Sequence, residues 1–182
     1  LVIQRQNKNF YYLTGFNEPN GFLLLLKTDT GASKCCLICL PKDPLMEVWH
    51  GRRVGPELAK IDYGFDHSYA LPELDQVVEE YIANTEQLWF CPSQGERLET
   101  LISKWLATSE RRKRQGVVTP KIRFNCSEIV AEMRLIKTDA ELAIMRQANV
   151  ISGAAHQRAM CKAQAGQFEY QLEAVILHAF AD

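Results

Sequence analysis

Between residues 22 and 40 the chain carries two nearly unbroken apolar runs, Phe22 to Lys27 (FLLLLK) and Cys35 to Leu40 (CCLICL), with Asp29-Thr30-Gly31 as a turn between them. A strand wetted on one side alternates apolar and polar residues, so continuous runs imply strands covered on both faces. The cover is visible further along. In LPELDQVVEEYIAN, Leu71, Leu74, Val77, Val78, Tyr81 and Ile82 recur at helical spacing. In GERLETLISKWLATSERR, Leu98, Leu101, Ile102, Trp105 and Leu106 do the same. Between them QLWFCP reads as a strand stopped by Pro92. Phe10 to Phe16 reads as a first strand, and the polar Asn17-Glu18-Pro19-Asn20-Gly21 as a hairpin turn. After Pro44 a polar loop, LMEVWHGRRVGPE, leads to a short helix opened by Pro56. Strand alternating with helix predicts an α/β fold, a mixed sheet with flanking helices.

The character changes after Pro120. Ile129, Val130, Met133 and Leu135 have helical spacing. A long helix then starts at a capping box, Thr138 with Glu141 three residues on, and its expected buried stripe is Ile144, Ala148, Ile151, Ala155 and Ala159. A third helix, AGQFEYQLEAVILHAF, follows the break at Gly166. Successive helices without a strand read as the opening of a second domain, with the boundary between Val117 and Phe124, giving 1–122 and 123–182. Leu172, Val175, Ile176 and Phe180 would then lack a sheet to cover, so the chain reads as a piece of a longer product, as does the lack of an initiating Met.

A net charge of -1 gives no electrostatic reason to bind nucleic acid or anionic membrane. The one basic run, Arg111 to Arg114, ends a predicted helix, where cations suit the dipole. No apolar segment reaches the roughly 18 residues of a membrane span, and residues 1–6 do not make a signal peptide. Cys36 and Cys39 have C-x-x-C spacing, but strand alternation sends them to opposite faces, which suits core thiols better than one metal. Reduced thiols imply a cytoplasmic home. His50, His67, His156 and His178 share no metal-ligand spacing, and no nucleophile, zincin or phosphate-loop motif occurs. Spacing alone therefore gives no active site. One loop stands out, EVWHGRRVG, where Trp49 adjoins His50, Gly51, Arg52 and Arg53. This is interface composition, suited to a peptide or carboxylate; the alternative is that Trp49 packs on its own domain.

Three stretches together carry a resemblance: FYYLTGFNEP from Phe10, DPLMEVWHGRRVG from Asp43, and the 32 residues from Ile129 to Met160. In the same order and at similar separations they resemble the bacterial aminopeptidase P (Xaa-Pro aminopeptidase) family, relatives of creatinase and prolidase. The later segment opened by Gly166-Gln-Phe-Glu169 is similar too. The resemblance implies a creatinase-type amino-terminal domain, its start missing, followed by the first helices of a pita-bread metallopeptidase domain. It implies release of an amino-terminal residue that precedes proline, with two metal ions, usually manganese. The family's ligands, two aspartates, a histidine and two glutamates, and its catalytic histidines would lie downstream; none maps onto this chain, and Asp182 does not match. For Trp49 the resemblance implies a place in a neighbouring subunit's substrate site within a dimer or tetramer. Arg52 and Arg53 match the pattern without an assigned role. The alternative reading is a non-catalytic creatinase-like domain that binds or oligomerises through the Trp49 loop.

Overall fold

A computed structural model describes residues 6–28, 30–92 and 96–181. Residues 1–5, the turn residue Asp29, residues 93–95 with the expected helix start Gly95, and Asp182 lie outside the described residues. The two apolar runs form β1 (Phe22–Lys27) and β2 (Ser33–Cys39), paired antiparallel from Phe22 opposite Ile38 to Lys27 opposite Ser33. A strand not expected from the sequence, β3 (His67–Ala70), lies parallel on the other side of β2, from Cys36 beside His67 to Cys39 beside Ala70. The central position of β2 explains its unbroken apolar run, since Cys36, Leu37, Ile38 and Cys39 are all fully buried. On β1, an edge of this three-stranded sheet, the expectation of cover on both faces holds only in part: Leu25 is exposed.

Strand alternation sorts β2 into two cores. Cys36 and Ile38 pack with Val77, Val78 and Ile82 of α4 (Leu74–Ile82) and with Ile102, Trp105 and Leu106 of α5 (Glu96–Arg111). Leu37 and Cys39 face the other way, into Phe10, Phe16, Ala59 and Phe65. Cys36 and Cys39 therefore sit on opposite faces. Burial pushes both thiols up to about 11, which keeps them protonated at neutral pH and unsuited to metal.

The segment Phe10 to Phe16 is a correction. It is not a strand: α1 spans Lys8–Thr14. Asn7 Oδ1 accepts from the backbone N–H groups of Asn9 and Phe10 at 2.9 and 3.0 Å, a strong N-cap. Gly15, at φ +66°, closes the helix with its N–H on Tyr11 O. These caps and the burial of Phe10 outweigh the β propensity of the aromatics. LTGFNEP is consequently a helix-to-strand connection, not a hairpin.

A crossover from β2 to the parallel β3 needs a dozen or more residues. It is made by α2 (Pro44–His50) and α3 (Gly55–Tyr63). A 3₁₀ turn at Leu71–Glu73 leads into α4, and another at Arg112–Gln115 follows α5. A separate two-stranded parallel sheet joins β4 (Gln87–Phe90) to β5 (Ile122–Asn125), again a strand not expected; Trp89 stacks on Phe124 with centroids 4.2 Å apart. Beyond the ends of these strands Cys91 and Cys126 bring their Sγ atoms to 3.0 Å.

α4 and α5 are also joined by Asp75, whose Oδ1 accepts from Trp105 Nε1 and Oδ2 from Lys104 Nζ, both at 2.6 Å. The Lys104 hydrogen bond, then that of Trp105, holds the Asp75 carboxyl below its ordinary value of 3.8. A lowered native pKa stabilises the fold fully above the unfolded value and is lost as pH falls through the native one. Thermal melts at pH 5 and pH 3 should therefore show a larger drop for the wild type than for Asp75→Asn. The difference will be modest, because half of each side chain faces water. Equal drops would show that Asp75 carries no pH-linked stability.

The chain divides into two compact units, Leu1–Val130 and Ala131–Asp182, with the change falling inside α6 (Ser127–Leu135). In the second unit α7 (Asp139–Lys162) packs against α8 (Glu169–Ala181). The capping box forms as expected: Thr138 Oγ1 accepts from Glu141 N–H, and Glu141 Oε2 from Thr138 N–H at 2.8 Å. The expected α7 stripe is buried only at Ala155 and Ala159; Ile144, Ala148 and Ile151 are exposed. The reason is length, because 13 residues of α8 cannot cover 24 of α7.

A candidate recognition arm around Trp49

The chain leaves β2 at Pro41 and returns to the sheet layer at Val54. Between them the expected loop is a correction, since most of it is helical. Asp43 Oδ1 accepts from Leu45 and Met46 N–H at 3.1 and 3.2 Å, Pro44 occupies the first turn, and α2 runs to His50. Asp-Pro is a start signal that the sequence displays openly. Gly51 ends α2 by donating its N–H to Glu47 O at 3.0 Å, at φ +83°, a conformation that glycine adopts at least cost.

No residue of α2 is buried. Leu45, Val48 and Trp49, at spacings of three and four, form one apolar stripe, and Trp49 is 81% exposed. Trp49 therefore does not pack down on its own unit. His50 and Arg52 are exposed beside it. Arg53 is half-buried and donates from Nη1 to Pro41 O at 3.3 Å, drawing the two ends of the arm together. At the base, Glu18 Oε1 accepts from Val54 N–H at 2.6 Å, while Glu18 O accepts from Gln6 Nε2 at 2.6 Å. The other oxygen, Glu18 Oε2, and Glu47 Oε1 are buried without a hydrogen-bond partner. Gly55, at φ +72°, lets Lys42 pass: a Cβ there would lie 2.9 Å from Lys42 Cγ.

This arrangement can bind, through an exposed aromatic with cations close by, but it holds no acid–base pair or nucleophile. Among the described residues no group of three or more His, Cys, Asp and Glu converges to hold a metal. His67 lies on β3, His156 on α7 and His178 on α8. A cavity of about 340 Å³ at the carboxyl ends of β2 and β3, lined by Pro41, Lys42, Glu57, Ser68 and Tyr69 among others, lacks Trp49. No described helix is long and apolar enough to cross a membrane. Sequence reasoning singled out Trp49 but missed Glu18, whose contact spans 36 residues and leaves no local signal.

Residues 4–89 match the family model for the aminopeptidase P N-terminal domain. The chain is 34% identical over 176 residues to the Xaa-Pro aminopeptidase of Escherichia coli K12, covering 97% of this chain and 40% of that protein. It is 36% identical over 176 residues to the Xaa-Pro aminopeptidase of Haemophilus influenzae, covering 97% and 38%. Its structure matches the low-pH form of aminopeptidase P from E. coli with a TM-score of 0.92 at 33% identity, over 97% of this chain and 40% of that one. The chain thus spans about two-fifths of the length of these relatives.

Proposed function

The chain belongs to the aminopeptidase P family, and on that premise we propose that it forms the amino-terminal part of a Xaa-Pro aminopeptidase. That enzyme releases an amino-terminal residue preceding proline, and its substrates are peptides with proline at the second position. Residues 1–122 are the creatinase-like domain in this reading, and 123–182 the linker helix and opening helices of the metallopeptidase domain. The chain supplies subunit assembly and one wall of a substrate entrance, with Trp49 reaching a neighbouring protomer of a homo-oligomer. The observation that carries this role is the exposure of Trp49 on a helix capped and clasped at its base.

The reading gives the parent enzyme two metal ions, manganese. The described residues of this chain do not fit such a centre, for want of converging carboxylates and histidines. No hydrolytic step is assigned to them. Six cysteines outside any disulfide suit the reducing cytoplasm of this reading.

The test compares two proteins. The product of the whole reading frame should cleave Xaa-Pro peptides in a chelator-sensitive manner. The 182-residue chain alone should neither cleave them nor bind manganese stoichiometrically. Cleavage by the chain alone would overturn the division of labour. Absence of cleavage by the whole product would overturn the activity and favour a binding or oligomerisation module.

A further inference from the structure

We propose that Glu18 is the positioning residue for Trp49, acting through the backbone of Val54; this rests on the reading of Trp49 as an entrance residue. The arm needs such a device. α2 has seven residues and buries none of them, so neither helix propensity nor packing holds its direction. Its pose is set where it leaves and rejoins the fold. At the exit, Asp43 caps the helix and Arg53 holds Pro41 O. At the return, Gly51 is held on Glu47 O and only Arg52 and Arg53 separate it from Val54, so the anchoring of Val54 limits where the end of α2 can lie.

Glu18 holds it, with a carboxylate-to-amide hydrogen bond of 2.6 Å, the short charge-assisted kind. Val54 stands at the N-cap of α3, where its own side chain can accept nothing. A carboxylate from a distant segment satisfies that amide and suits the helix dipole. Glu18 is itself fixed. Phe16, two residues before it, is fully buried, Gln6 holds its carbonyl, and Pro19 restricts its backbone. The connection that follows α1 is therefore a strut between the core and the arm. Its other oxygen, Oε2, is buried as well, so the carboxylate is enclosed at the base of the arm.

The test uses the whole enzyme with Glu18→Ala and Glu18→Gln; the amide keeps an acceptor of the same shape. Backbone amide exchange across residues 44–54 should speed up about tenfold in Glu18→Ala, the equivalent of one ordinary hydrogen bond, and return toward wild type in Glu18→Gln. On a longer Xaa-Pro peptide, Glu18→Ala should raise KM with kcat kept, and adding Trp49→Ala should raise it little further, because both act through one contact. Unchanged exchange in the arm would overturn the proposal, as would acceleration spread through the whole unit or additive effects on KM. Should Trp49→Ala alone leave KM unchanged, the entrance reading fails, and amide exchange still decides whether Glu18 holds the arm.

Discussion

Trp49→Ala in the whole enzyme is expected to raise KM for a longer Xaa-Pro peptide by about thirtyfold, leaving kcat and metal content unchanged. The magnitude follows from truncating an aromatic anchor, which costs about 2 kcal/mol in a desolvated contact. The direction follows from place. Trp49 lies on an arm where the described residues form no metal-ligand cluster, so its contact is expected to be made equally with substrate and transition state, and loss of uniform binding appears in KM. The fold should not suffer, because the side chain is 81% exposed. Steady-state kinetics on a dipeptide and a longer peptide, with sedimentation on the same sample, separate the outcomes. Unchanged kinetics in an intact oligomer would remove Trp49 from the entrance. Loss of the oligomer would make it an assembly residue first.

Trp105→Ala should do the opposite, and its effect should be the largest in stability. Trp105 is buried on the α4–α5 side of β2, among Val78, Ile82 and Ile102, and its Nε1 donates to Asp75. Truncation opens a cavity and removes one of the two donors to that carboxylate, leaving Lys104, at about 3–5 kcal/mol. Against a total of about 5–15 kcal/mol, that is a large fraction of the stability. A fall in Tm of about 10 °C or more is expected, with cooperative unfolding weakened. Trp105→Phe, which fills most of the volume without the N–H, should recover the larger part. A loss below about 1 kcal/mol in Trp105→Ala, read from denaturant midpoints, would show that this face of β2 is not the centre of the core. The two tryptophans are the same residue in helices of one unit; apolar spacing marks Trp105 for the core, and the structure leaves Trp49 exposed.

Much was legible where structure is local. The unbroken apolar run of Cys35 to Leu40 announced a strand covered on both faces, and the opposed directions of Cys36 and Cys39 followed from its alternation. Thr138 with Glu141 announced α7, and Pro56 announced α3. Asp43-Pro44 carried an equally plain helix signal that was outweighed by the polar character of the residues around it. The aromatics of Phe10 to Phe16 pointed to a strand because β propensity reports side-chain fit to a sheet, and here the Asn7 and Gly15 caps decided for helix.

The sequence by itself determined the α/β class, most of the helices, the central strand and the interest of Trp49, because periodicity, caps and turn residues act over a few positions. Only the tertiary structure decided the rest. The four-residue strands β3 and β5 are strands because β2 and β4 lie beside them; alone they are too short to show a period. The exposure of Ile144 follows from how far α8 reaches, not from the stripe on α7. Glu18 meets Val54 across 36 residues because α1 and α3 share a face of β2. Such contacts depend on which elements become neighbours, and that is settled by long-range pairing and burial, which no short window of residues contains.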